Sequence, residues 1–181
     1  KITWANIQGS VSALESTSVA GPVNFVAQAS EDITKGDVVY IDGNVGDTPT
    51  VSKAQANSAS TMPAFGVAAV SFTQGNQGNV TTLGSVVDVD TSGLGVNQVL
   101  YVSATTAGAW TTTAPAGEAK LVQNIGRVQR VNQNNGVVKV GGAGRTARTP
   151  NLNNGNIFIG DGTGYPAIDS LTDALSTHAG I

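Results

Sequence analysis

The stretch "KGDVVYIDGN", residues 35–44, decides the fold, and a second stretch, "NQVLYVSATTAG", residues 97–108, says how often the fold is used. In the first, Gly36-Asp37 forms a turn signal, Val38 to Ile41 is a short run rich in β-branched residues, and Asp42-Gly43 turns again. A run this short between two turn pairs, with no helical period, predicts a strand. The second stretch has the same shape. A polar pair, Asn97-Gln98, precedes Val99 to Val102, and Gly108 closes the segment. Tyr101 follows Tyr40 by 61 residues.

Outward from these two strands the spacing persists. Gly126 follows Gly66 by 60 residues and Gly136 follows Gly78 by 58. "PTVSKA" (49–54) lines up with "AWTTTA" (109–114) at an offset of 60. A shrinking offset is what small deletions in turns produce, where chain length costs little. Residues 35–84 and 96–142 therefore read as two versions of one β unit within a β domain, residues 31–142. Groups at 38–41, 49–51, 65–70, 80–83 and 86–89 carry Val, Ile and Thr, with Gly- and Asn-containing turns between them. Short strands at this spacing predict an all-β protein, a small sandwich or barrel.

The flanks have another character. Residues 1–30 read as an N-terminal arm containing Trp4 and Ile7. Residues 143–181 read as an extended C-terminal arm, with a strand-like group at 156–159 and a short helix at 169–179. Asp169 or Ser170 would cap that helix, and Leu171 and Leu175 lie one turn apart on it. Such arms cannot bury a core of their own. Trp4, Ile7, Phe158, Ile159, Leu171 and Leu175 are therefore expected between subunits.

Chemistry has few footholds. The net charge of −3, with nine Lys and Arg, argues against a nucleic-acid partner, which needs a positive footprint. Charged residues make up 12% of the chain, against about a quarter in ordinary soluble domains, a largely neutral surface that suits packing against copies of itself and equally a weakly charged monomer. No apolar run approaches the length of a membrane span, so membrane insertion is not expected. Cysteine is absent, which removes thiolate metal sites and Cys nucleophiles. His178, beside the C-terminus, is the sole histidine and cannot make a triad or a metal site alone.

"DVDTSG" (88–93) matches the first half of a calcium loop through Asp88, Asp90 and Ser92, but the twelfth position is Val99 rather than an acid. A strand ending in an Asx or Ser turn suits it better. "GGAGR" (141–145) and "GDGTG" (160–164) lack the following helix that a phosphate cradle needs. No catalytic constellation and no cofactor site is expected, and an enzyme is the least expected class. For a glycan platform the candidates are Tyr40, Tyr101, Trp110 and Tyr165.

The segments "ITKGDVVYIDGN" (33–44), "PAFGVAAVSFTQGNQGNVTTLG" (63–84) and "VNQVLYVSATTAGAWTTTA" (96–114) together resemble a module common in bacteriophage virion proteins. It occurs in tail fibre proteins, and similar patterns occur in head-decoration and capsid-fibre proteins. The resemblance covers about residues 33–142. "TWANIQGSV" (3–11) and "NGNIFIGDGTGYP" (154–166) are similar to the phrases that punctuate phage fibres. The resemblance implies a structural component of a virion, a homotrimer whose partners are itself, other virion proteins and a host surface glycan. It implies a tail fibre first and a capsid decoration protein second.

Overall fold

The structure, a computed structural model, describes residues 21–117, 120–141, 146–147, 152, 155–160, 166–170 and 172. Five strands make the first unit: β1 (Val23–Ala29), β2 (Val38–Val45), β3 (Thr48–Lys53), β4 (Gly66–Ala68) and β5 (Gln77–Val89). β1 pairs with β3, β3 with β2, β2 with β4, β4 with β5, and β5 returns to β1, so the pairings close a ring. A five-stranded ring has a narrow interior, and side chains of modest size fill it. Ala27, Ala29, Val39, Val51, Ala68 and Val80 form that interior with Ile33 and Phe72. Ile33 and Phe72 exchange two backbone hydrogen bonds, of 2.9 and 3.0 Å, and seal the end at which β1 finishes and β5 begins.

β1 corrects a boundary. The sequence reading places residues 23–29 in the arm, but they are a strand paired on both sides. A second difference lies in β5. The groups at 80–83 and 86–89, read as separate strands, are one 13-residue strand that bends at Gly84. Up to Leu83 it pairs with β1 and β4; from Gly84 onward it pairs with β9.

The second unit contains β6 (Val99–Val102), β7 (Trp110–Thr111), β8 (Val122–Arg130) and β9 (Gly136–Val140). Its strand order, β7-β6-β8-β9, copies β3-β2-β4-β5 of the first unit. The copy extends to register. Val39 lies opposite Gly66 and Leu100 opposite Gly126. Ala68 lies opposite Val80 and Val128 opposite Val138. Residues 84–89 take the place of β1, antiparallel to β9 as β1 is to β5. One offset needs correcting. Ile41 faces Val51 and Val102 faces Trp110, so Trp110 is equivalent to Val51 at an offset of 59, not 60. A slip of one residue exchanges the two faces of a strand, so the register changes which residue of β7 points into the core.

The two units stack. The larger core joins Val38 and Val67 from the outer face of the first unit to Leu100, Val102, Val128, Val138 and Val140 of the second. Each such fully buried side chain is worth about 1.5–3 kcal/mol relative to exposure, so this layer holds the units together. The residues of the second unit equivalent to Val67 and Thr81, both at 0% exposure, are Arg127 and Lys139, which face solvent.

Beyond the units, β10 (Thr146–Ala147) pairs with β8, while β11 (Asn156–Gly160) and β12 (Pro166–Ser170) form an antiparallel hairpin. Asp169 and Ser170, read as the cap of a helix, are the last residues of β12. Apart from Thr172, the rest of that helix lies outside the described residues, as do Trp4, Ile7, Tyr165, Leu171, Leu175 and His178.

Candidate functional site

The stretch that opens the first unit works as a turn, and the second unit repeats it atom for atom. The Thr34 N–H donates to Asp37 Oδ2 at 2.8 Å, and the Asp37 N–H donates to the Thr34 carbonyl at 2.9 Å. The Gly95 N–H donates to Gln98 Oε1 at 2.8 Å, and the Gln98 N–H donates to the Gly95 carbonyl at 3.1 Å. Between them sit Gly36 at φ 94° and Asn97 at φ 64°, left-handed positions that glycine and asparagine tolerate best. Both turns then join the neighbouring strand in the same way. Gly36 donates to the Ala68 carbonyl and Asn97 to the Val128 carbonyl.

Where the first turn meets the second unit there is a cleft of about 360 Å³, lined by Lys35, Asp37, Asp88, Asp90, Gly108 and Trp110 among others. It brings together two acids of the calcium-like motif and one of the platform aromatics. Two ion pairs border it, Lys35–Asp88 and Lys53–Asp37, each at 3.7 Å. Asp90 Oδ1 accepts the Ser92 N–H at 2.8 Å and the Ser92 hydroxyl at 2.6 Å, and these bonds hold its carboxyl below the usual range. Ser92 thus closes an Asx turn on Asp90, while Asp88 faces Lys35. Among the described residues no group of three or more His, Cys, Asp or Glu is placed to hold a metal ion. What the cleft offers is a half-buried indole beside carboxylates and an ammonium, a set suited to a neutral polyhydroxylated ligand.

The three platform aromatics among the described residues do not share one surface. Tyr40 and Trp110 pack against the core between the units. Tyr101 follows Leu100 on β6 and by alternation faces away from that core. Phe158 pairs with Ile168 in the β11–β12 hairpin and is 38% exposed, with Ile159 half-buried beside it.

The acids near the opening stretch serve the backbone one by one. Glu31 accepts the Lys53 N–H at 2.9 Å and Asp32 the Gln74 N–H at 2.9 Å. Asp42 accepts hydroxyls from Ser30 at 3.1 Å, Thr50 at 2.5 Å and Ser52 at 2.5 Å. Burial pushes the Asp42 carboxyl up, but the three hydroxyls outweigh it and the net shift is downward. The Tyr40 phenol is pushed up by burial first, then by the charges of Asp42 and Glu31, against a hydrogen bond with Ser52.

Two features escape sequence reasoning. Gln123 clasps both backbone groups of Ala64: its Oε1 accepts the N–H and its Nε2 donates to the carbonyl, each at 2.8 Å. This ties β8 to the segment entering β4, 59 residues away. Asp42 and its hydroxyls come from β2, β3 and the residue that follows β1, and only the closed ring assembles them. No helix among the described residues is long and apolar enough to cross a membrane.

No family model matches the chain, and a search of curated proteins finds no match. Among solved structures, one that the chain is similar to is described as the crystal structure of head fiber gp8.5 N base in bacteriophage phi29. The two share 17% identity with a TM-score of 0.43, over 72% of this chain and 98% of the other.

Proposed function

We propose that this chain is a structural protein of a bacteriophage particle, a homotrimeric tail fibre or fibre-like appendage that acts in assembly and in host attachment. Its work is mechanical, with no catalysis and no cofactor. The observation that carries the reading is the duplicated turn-and-strand device. The segments that resemble phage virion modules supply most of the two stacked units, and many of their polar residues hold turns or backbone groups. Asp37 and Gln98 hold turns, Asp90 holds an Asx turn, and Glu31 and Asp32 hold backbone N–H groups. A surface with few charges suits a subunit packed among copies, because few ions need to be desolvated.

Immunogold labelling of purified particles with antibody against residues 21–141 tests the reading. Label on tail appendages supports it, and label confined to the head shell turns it into the decoration reading. Particles without label defeat both.

A second reading, a glycan-binding module, is favoured by the cleft in which Trp110 lies beside Asp88 and Asp90. Trp110→Ala would abolish binding to immobilised host-surface glycans if that cleft holds them, and unchanged retention would exclude it.

A further inference from the structure

The two ends of the first barrel differ. One is sealed by Ile33 and Phe72, which are 3% and 6% exposed. At the other end, Phe25 meets Phe65 edge to face with ring centroids 5.1 Å apart, and Phe65 remains 51% exposed. Val23 and Leu83, paired across β1 and β5 at that same end, are 56% and 49% exposed. Half-exposed side chains of this size, grouped at one end of a sealed barrel, mark an interaction surface.

We infer that this open end, formed by Val23, Phe25, Phe65 and Leu83, is a contact surface for a second copy of this chain. The inference rests on the self-assembly in the proposed function and gives it a location within the β domain. Two observations select the occupant. First, the chain enters the first unit at this end. Pro22 lies against Gly84, and Gly141 lies against Leu83. The twenty residues before Gly21 therefore join the chain at the edge of the patch, where β9 also ends before β10 pairs with β8. A contact between copies at this end would lie beside that chain entry.

Second, the chain neighbours of the patch residues carry no charge, Asn24, Thr82 and the buried Ala64 among them. In a symmetric contact the same surface meets itself or its copy, so any charge at the centre would face its like. A neutral rim around apolar side chains removes that repulsion. The outer face of the second unit, with Arg127 and Lys139 exposed, lacks this property.

The chain contains no cysteine, so a single introduced thiol reports on one place. Phe65→Cys in the full chain, treated with a short bis-maleimide, is expected to give covalent oligomers. Val96→Cys, at a position 69% exposed on a loop of the second unit, is expected to give none. In parallel, sedimentation of Leu83→Lys should show self-association weakened about tenfold or more against the unaltered chain, with an unchanged far-ultraviolet spectrum. If the unaltered chain is oligomeric but Phe65→Cys crosslinks no better than Val96→Cys, this surface is wrong and the assembly reading stands. An unaltered chain that sediments as a monomer overturns both. Should Leu83→Lys fail to fold, the crosslinking arm decides alone.

Discussion

At position 67 the first unit carries a valine with no exposed surface; at the equivalent position, 127, the second carries an arginine in water. Thr81 and Lys139, their cross-strand partners, differ in the same way. Strand order, register and the entering turn are shared, so the difference comes from neighbours and not from the unit itself. The first unit is covered on its outer face by the second, and nothing among the described residues covers the second in the same manner. A duplicated β unit thus keeps its inner face, Val39, Ala68 and Val80 against Leu100, Val128 and Val138, and lets its outer face follow its place in the stack.

The sharpest way to break that comparison is to exchange the outer-face residues. Val67→Arg would put a charge without a partner into the core between the units. The expected loss is about 4 kcal/mol or more, read as a collapse of the urea midpoint or as failure to fold. Arg127→Val makes the reverse change where water reaches the side chain, and stability should move by no more than about 0.5 kcal/mol. Equal losses from the two exchanges would mean that the units do not stack by these faces.

The inner faces should behave alike. A Cβ at Gly66 would lie 2.6 Å from the Thr81 carbonyl oxygen, and one at Gly126 would collide with the Lys139 carbonyl oxygen, the equivalent atom. Gly66→Ala and Gly126→Ala are each expected to cost about 3 kcal/mol, because backbone cannot move aside as a side chain can. Gln123 breaks the symmetry again, since it reaches from one unit to the other. Gln123→Leu strands the N–H and the carbonyl of Ala64 and should cost about 2 kcal/mol by equilibrium denaturation. The position equivalent to Ala64 has no such clasp among the hydrogen bonds of the second unit's described residues.

The reasons some of this was legible in the sequence are local. Turn chemistry and β-branched runs are short-range signals, so the strands at 38–41 and 99–102 and their offset of 61 residues could be read directly. The 58-residue offset between Gly78 and Gly136 survives because both lie at the start of the return strand of their unit, Gly78 second in β5 and Gly136 first in β9. What failed depended on closure. β1 looks like arm because its inward residues after Phe25 are Ala27 and Ala29, too small to signal a strand yet suited to a five-stranded interior. Gly84 looks like a turn because a strand that changes partners midway carries the same glycine. The cleft beside Trp110 and the apolar end at Phe65 bring together residues far apart in sequence, Lys35 with Asp88 and Phe25 with Phe65, and no local pattern announces them.

The smallest expected effect separates the units by pH. Asp42 in the first unit is equivalent to Ser103 in the second, so only one unit has a titrating group at that place. Three hydroxyls stabilise the ionised Asp42, and its folded pKa lies below the ordinary carboxylate value despite the opposing effect of burial. A depressed carboxyl pKa contributes stability that is fully present above the unfolded value and is lost as pH falls through the folded one. Thermal unfolding should therefore drop more steeply below about pH 4 in the unaltered chain than in Asp42→Asn, with the two running parallel near neutrality. Removing donors should act in the opposite sense on the carboxyl itself. In Ser52→Ala the Asp42 midpoint, followed by carboxyl NMR, should rise toward the unperturbed value, because the hydroxyl at 2.5 Å no longer favours the charged form. Ser103 holds its own loop through backbone donors, the Thr105 and Thr106 N–H groups at 3.2 and 3.1 Å, and these do not titrate. Amide exchange across β6 should consequently keep its protection at a pH where β2 begins to lose it, and simultaneous loss in both strands would show that the stacked units open as one.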